Sequence, residues 1–185
     1  MVDPFRHGSF WGMSEAVATQ LSGWGRTMPT VAQFVEANSS GQISELVQHA
    51  NSRGVLARGL GRSYGDAAQS GGATVIDMTT MNDFTLNPEN MSVTANAGAS
   101  IDDILREIVP RGFFVPVSAG TRIITVGGAI AADIHGKNHH RDGSFGAHVT
   151  ELTVIDGLGA QHTLTPKDLK FWATVGGMGL TGVIT

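Results

Sequence analysis

No cysteine occurs among the 185 residues of this chain, which excludes disulfides, thiolate catalysis and cysteine-ligated zinc or iron–sulfur centres. Charge is scarce as well. Asp, Glu, Lys and Arg together make up 15% of the sequence, against the roughly 25% of an average globular protein. A chain so poorly charged is expected to have much of its surface covered, by a ligand or by further protein. The net charge of −4 supplies no basic excess that would point to nucleic acid. No apolar run approaches the ~18 residues of a membrane-spanning helix. Residues 1–13 also lack the basic start and apolar stretch of a signal peptide, so a cytoplasmic place is expected, or one at the cell envelope reached by another route or a partner. Neither a G-x-S-x-G elbow nor a G-x-x-x-x-G-K-[ST] loop is present, which removes acyl transfer and ATP hydrolysis from consideration.

What the chain has in excess is glycine, 25 residues in all, nearly twice the usual ~7%. The densest cluster is Arg58-Gly59-Leu60-Gly61-Arg62-Ser63-Tyr64-Gly65-Asp66, which follows the apolar run Val55-Leu56-Ala57. Backbone without Cβ atoms comes close to a ligand. Successive N–H groups in such a loop form a concave anion site, to which Arg58 and Arg62 add positive charge. The natural guest is a phosphate or pyrophosphate; the plain alternative is a glycine turn between strands. The spacing G-x-G-x-x-x-G is one residue longer than the Rossmann fingerprint. A dinucleotide therefore fits, but an NAD domain of the Rossmann kind does not.

Read in order, residues 1–20 are expected to be a mobile arm or expression remnant, with a short helix over Glu15–Leu21. Trp24 is expected to pack on the domain that follows. Ile43, Leu46, Val47 and Ala50 predict an amphipathic helix over Gln42–Arg53, closed by Gly54. Strands are predicted at Val55–Arg58, at Thr74–Asp77 after a Gly71-Gly72 turn, and at Ser92–Ala97. Ser100 caps a helix whose buried stripe is Ile101, Ile104, Leu105 and Ile108, ended by Pro110 and Gly112. From Gly120 the chain turns to small residues, through Thr125-Val126-Gly127-Gly128 to Ala132, as expected where backbone lies against a ligand or packs tightly in a core. Val149–Asp156 reads as a strand, Asp156–Gly159 as a hairpin turn and His162–Leu164 as its return. Thr165 and Pro166 predict the start of a helix closed by Gly176-Gly177, and Gly179–Thr185 a last strand. Strand, helix and strand in this order predict α/β or α+β packing and not a helical bundle.

A second cluster is Asp133-Ile134-His135-Gly136-Lys137-Asn138-His139-His140. Gly136 interrupts any helix that would align His135 with His139, and H-x-x-x-H-H is not a known zinc spacing; no metal is expected. His135 and Lys137 read instead as polar groups beside a redox cofactor, placing hydrogen bonds or positive charge near a developing anion. His139 and His140 read as loop residues satisfied by backbone.

Three motifs carry a resemblance. Arg58–Asp66, then Thr125–His140, then Phe171-Trp-Ala-Thr-Val-Gly-Gly-Met-Gly-Leu-Thr-Gly182 resemble, in the same order, the vanillyl-alcohol-oxidase-type flavoproteins. The likeness runs from about Leu21 to Thr185 and is strongest to the actinobacterial branch that oxidises a lipid-linked ribose. It implies a two-subdomain α+β FAD-binding domain, about 21–118 and about 119–185. FAD would be held by Leu56, Ala57, Arg58, Gly59, Leu60, Gly61, Arg62, Ser63, Tyr64, Gly65, Asp66, Gly120, Thr125, Val126, Gly127, Gly128, Ala132, Asp133, Ile134, His135 and Ile184. Lys137 and His135 would lie near the substrate. Relatives that attach FAD covalently through the first loop have histidine where this chain has Arg62, which implies non-covalent binding.

The resemblance further implies oxidation of the ribose 2′-hydroxyl to a ketone, and a separate short-chain reductase that completes epimerisation to the arabinose donor of cell-wall arabinan. A related sugar, alditol or lactone oxidase, and a non-catalytic FAD-binding fragment, are the alternatives. The family also has a substrate domain, which would supply most of the pocket and any peripheral membrane contact. This chain is expected to lack that domain, and so to hold FAD weakly, self-associate and turn over no substrate by itself. The stretch Thr165–Phe171 is shorter than in close relatives.

Overall fold

The computed structural model describes residues 15–185; of the arm expected at residues 1–20, residues 1–14 lie outside the described residues. The chain opens with β1 (Val17–Leu21) and β2 (Thr30–Glu36), an antiparallel pair in which Val17 faces Phe34 and Leu21 faces Thr30. The helix expected over Glu15–Leu21 is thus corrected to a strand. A helix so short forms few hydrogen bonds of its own, whereas the strand pairs along its length and buries Leu21 beside Ala32 and Val75.

Helix α1 (Ser40–Gln48) follows β2. The Ser39 hydroxyl accepts the Gln42 N–H at 3.2 Å, and the Gln42 carboxamide accepts the Asn38 N–H at 2.8 Å, a variant of the capping box. The helix ends before the expected Arg53, because Asn51 Oδ1 accepts the Arg53 N–H at 2.8 Å; such a local turn competes with the helical ladder. Gly54 is accordingly not the cap but the last residue of the turn into β3 (Val55–Arg58). β3 and β4 (Thr74–Asp77) match the predicted strands residue for residue. They run parallel to each other and to β2, giving the order β1-β2-β4-β3.

A second layer holds the hairpin β5 (Phe84–Asn87) and β6 (Ser92–Ala95) with helix α2 (Ile101–Ile108). β5 was not predicted, and β6 stops two residues before the expected Ala97, where the chain drops into a turn against the Met81 carbonyl. The Ser100 cap is as predicted, its hydroxyl accepting the Asp102 and Asp103 N–H groups at 3.0 and 3.4 Å. Ile101, Ile104 and Ile108 pack with Ala99 against Phe84, Leu86 and Val93.

Helices α3 (Val126–Ala131) and α4 (His139–Asp142) lead to β7 (Leu152–Ile155), β8 (Gln161–Leu164), α5 (Leu169–Thr174) and β9 (Val183–Ile184). The sheet order is β8-β7-β9, all antiparallel. Two expectations are corrected here. Helix α5 is capped at Asp168 rather than Thr165, because the Asp168 carboxylate accepts the Thr165 N–H and hydroxyl at 2.8 and 2.9 Å and closes a turn first. The last strand shrinks to Val183–Ile184, since Gly179 and Gly182 take positive φ angles of 78° and 142°. The main core joins Ile43 of α1, Ile76 of β4, Ile130 of α3, Leu152 of β7, Phe171 of α5 and Ile184 of β9. It is this shared core that sets α3 opposite the loop after β3.

Candidate cofactor cleft

Between that loop and α3 lies a cleft of 430 Å3, within the ~300–1,000 Å3 usual for small-molecule sites. One wall is Gly59–Gly65; the other is Ile124–Thr125 and the exposed side of α3; Met78 and Ala97 close the bottom, and Met178, Gly179, Gly182 and Ile184 form an edge.

The loop wall offers free backbone donors. Among the described residues, no acceptor is found for the backbone N–H groups of Gly59 through Gly65. On the outer side Ser63 O accepts the Trp24 N–H at 2.8 Å. Arg62 lines the cleft, donates from Nε to Ile123 O at 3.2 Å just before the opposite wall begins at Ile124, and stands with its guanidinium 5.0 Å from the Trp24 ring. Trp24 thus meets the following loop, as expected, while remaining largely exposed. Arg58 differs. Its guanidinium donates to Ala68 O at 2.6 Å and Ser22 O at 2.8 Å, so it anchors the base of the loop. Burial lowers it from the ordinary arginine value, against the opposing pull of Asp77.

The helix wall works differently. Thr125 caps α3 through its hydroxyl, which accepts the Gly128 N–H at 3.2 Å. The N–H groups of Val126 and Gly127 donate to Ala99 O and Ala97 O at 2.9 and 2.8 Å. This helix start is therefore satisfied by protein, and the free amides belong to the loop. Two adjacent glycines here have separate reasons. A Cβ on Gly127 would stand 2.8 Å from Ala97 Cβ, so the fold itself requires that glycine. A Cβ on Gly128 would meet only Thr125 Oγ1 at 3.1 Å and otherwise project into the open cleft. At the far end of α3, the Ile130 and Ala131 carbonyls accept the Gly176 and Met178 N–H groups at 3.0 and 2.8 Å, which carries Met178 and Gly179 onto the cleft.

Of the residues singled out from sequence, Ala57, Gly59, Leu60, Gly61, Arg62, Ser63, Tyr64, Gly65, Thr125, Gly127, Gly128, Ala132, Ile134 and Ile184 line this cleft. Others are placed elsewhere. Leu56 packs with Leu21, Ala32 and Val75, and Val126 packs against both larger cores. Asp66 and Gly120 are exposed outside the lining. Asp133, at φ 40°, accepts the Ser144 hydroxyl at 2.8 Å and the Gly146 N–H at 2.9 Å, and so fastens α3 to the following loop. His135 and Lys137 are exposed beyond the cleft. The His135 ring meets His139 edge-on at 5.3 Å, and His139 in turn meets His140 at 5.9 Å. His139 Nδ1 shares a hydrogen bond with Gly136 O at 3.0 Å, as its reading as a backbone-satisfied residue expects. Among the described residues, no group of three or more His, Asp or Glu side chains could hold a metal ion.

The sequence reading missed Ala67, Ala68, Met78, Ala97, Ile124, Ala129, Ala131, Met178, Gly179 and Gly182. The glycine run from Gly176 to Gly182 was a usable signal, as were the alanines flanking the two motifs. Met78 and Ala97 carried none, because only tertiary packing brings the ends of β4 and β6 under the loop.

The chain matches the family described as FAD binding domain over residues 31–165. Decaprenylphosphoryl-beta-D-ribose oxidase of Mycolicibacterium smegmatis is 50% identical over 173 residues, 89% of this chain and 37% of that protein. D-lactate dehydrogenase of Anaerostipes hadrus is 26% identical over 90% of this chain and 37% of its own length. Alditol oxidase of a Streptomyces species is 22% identical over 91% of this chain and 41% of its own. The chain thus spans about two-fifths of these relatives or less.

Proposed function

We propose that this chain, which belongs to the FAD binding domain family, is the flavin-holding part of an oxidoreductase that converts the 2′-hydroxyl of a polyprenyl-phosphate-linked ribose to a ketone. The observation that carries this reading is the 50% identity to the ribose-lipid oxidase over 89% of the chain. The cleft fits the cofactor: unsatisfied loop amides and Arg62 suit a pyrophosphate, and Gly128 leaves open the space a side chain would fill. When bound, FAD supplies the two-electron acceptor. Arg62 occupies the position of the histidine that anchors flavin in covalent relatives, so binding here is non-covalent.

In this reading the loop amides and Arg62 hold and orient the cofactor, while α3 and the Met178–Ile184 edge exclude water from its flanks. The flavin lies between two subdomains that meet near residue 118. Lys137 and His135, exposed on the next segment, face the sugar lipid, with Lys137 supplying positive charge toward its oxygen atoms. A short-chain reductase reduces the keto sugar and completes epimerisation to the arabinose donor of cell-wall arabinan. The lipid substrate implies peripheral membrane contact through a further domain and a cell-envelope place. Among the described residues no helix is long and apolar enough to cross a membrane.

The test is anaerobic mixing of the flavin-loaded enzyme carrying this chain with polyprenyl-phosphoryl ribose. Bleaching of the flavin's visible absorbance with formation of the keto sugar is expected. Bleaching by free alditols and not by the lipid would favour the alditol-oxidase reading that the weaker Streptomyces likeness suggests.

A further inference from the structure

The β1–β2 connection packs against the outer side of the FAD loop so closely that glycine is required on both sides of Trp24. A Cβ on Gly23 would overlap the Gly65 carbonyl oxygen and crowd that of Ser63, and a Cβ on Gly25 would overlap that of Tyr64. The Trp24 N–H donates to Ser63 O at 2.8 Å, and the Gly23 N–H donates to the Gln69 carboxamide at 3.1 Å. The same Gln69 donates to Met28 O at 2.8 Å, which ties the connection down at its far end. The carbonyls of Ser63, Tyr64 and Gly65 are thereby turned outward. In a trans peptide the N–H of the next residue points the opposite way. The N–H groups of Tyr64, Gly65 and Asp66 therefore face away from the connection, on the side where Ser63, Tyr64 and Gly65 line the cleft.

Trp24 has a second contact that the fold does not need. The residue is 59% exposed and belongs to none of the buried clusters among the described residues. Its ring instead lies 5.0 Å from the Arg62 guanidinium carbon, while Arg62 Nε reaches Ile123 O at 3.2 Å. An arginine otherwise free to rotate is held between an indole face and the Ile123 carbonyl. A cation placed before its ligand arrives binds more tightly, because less freedom is lost on association.

We propose that Trp24 is a positioning residue of the FAD site, whose ring fixes the Arg62 guanidinium beside the loop amides. The proposal rests on the assignment of FAD to this cleft. It is tested by titrating the cofactor-free form of the enzyme carrying this chain with FAD and following flavin fluorescence. Trp24→Leu should weaken FAD affinity about two- to five-fold, the effect of losing one exposed cation–π contact, while Trp24→Phe restores most of it. The thermal midpoint without FAD should stay put, since the side chain is largely exposed. In an Arg62→Ala background, Trp24→Leu should have no further effect on affinity. An equal loss in both backgrounds, no loss in either, or Trp24→Phe behaving like Trp24→Leu would overturn the positioning role and leave the cofactor assignment standing. Failure of the unsubstituted enzyme to bind FAD would overturn both.

Discussion

Gly59 lies directly against the side chain of Thr125: a Cβ at residue 59 would overlap Thr125 Oγ1 and stand 2.9 Å from its Cγ2. The first residue of the anion loop and the cap of α3 are thus in contact, and the two walls of the cleft meet here. The same Thr125 hydroxyl accepts the Gly128 N–H. One side chain therefore sets how near the loop comes to the helix and holds the helix start that faces it.

Of the two loop arginines, Arg62 lines the cleft, whereas Arg58 is committed to the Ser22 and Ala68 carbonyls. Hydrogen bonds to charged groups contribute roughly 1.5–3 kcal/mol, so Arg62→Ala should weaken FAD binding about ten- to a hundred-fold. Added salt should reproduce part of the loss in the parent chain and less in the mutant. An unchanged dissociation constant would remove Arg62 from the site.

Gly127 and Gly128 should separate under mutation. Gly128→Val should abolish FAD retention and leave the far-UV spectrum nearly intact, because the added side chain projects into the cleft. Gly127→Ala should instead destabilise the protein by about 1–3 kcal/mol, since its Cβ has no room beside Ala97. Flavin retention and thermal melts on the pair give the answer. A yellow Gly128→Val protein would mean that the α3 wall does not approach the cofactor.

Asp133 should matter for stability more than for cofactor affinity. Its carboxylate holds the Ser144 hydroxyl and the Gly146 N–H. Asp133→Ala loses both bonds and should cost about 2–4 kcal/mol in denaturant unfolding, with Asp133→Asn milder. Loss of FAD affinity at unchanged stability would reverse this assignment.

Acid should loosen the β7–β8 hairpin. Asp156 meets His162 Nε2 at 2.7 Å and accepts the Leu158 and Ala160 N–H groups at 2.9 and 3.0 Å. These bonds, that to His162 foremost, hold its carboxyl below the ordinary carboxylate value. A carboxyl lowered on folding stabilises the native state above its unfolded pKa of about 3.9, and that contribution fades as pH falls through the lower folded value. Asp156→Asn should therefore lower the melting temperature at neutral pH, with a gap to the parent that narrows below about pH 4. A gap that stays constant across thermal melts down to about pH 3 would show that the carboxylate charge is not its source.

Local chemistry made part of this protein readable without its structure. β3 and β4, the Ser100 cap, the Asp156–Gly159 turn and the glycine loop each follow from interactions among residues a few positions apart. Resemblance extended that reading to a second segment, of which Thr125, Gly127, Gly128, Ala132 and Ile134 line the cleft. Short strands such as β1 and β5 escaped because a few residues of alternation do not distinguish strand from helix until a partner strand is known. The start of α5 was misplaced because Asp168 turns back to Thr165, a choice between two local caps that sequence leaves open.

What only the tertiary structure decided is how like residues divide their work. Arg58 and Arg62 stand in one motif with the same charge. Arg58 is drawn into the base of the loop by the Ser22 and Ala68 carbonyls, while Arg62 is held at the cleft between Trp24 and Ile123. Gly127 and Gly128 are neighbours, yet one clears Ala97 and the other clears the ligand space. Met78 and Ala97 join the site from strand ends with no motif of their own. The sequence placed a glycine loop after β3, and its backbone amides find no protein acceptor among the described residues. Which side chains would accompany them depended on contacts between distant segments, and those form only when α3, β4 and β9 share one core.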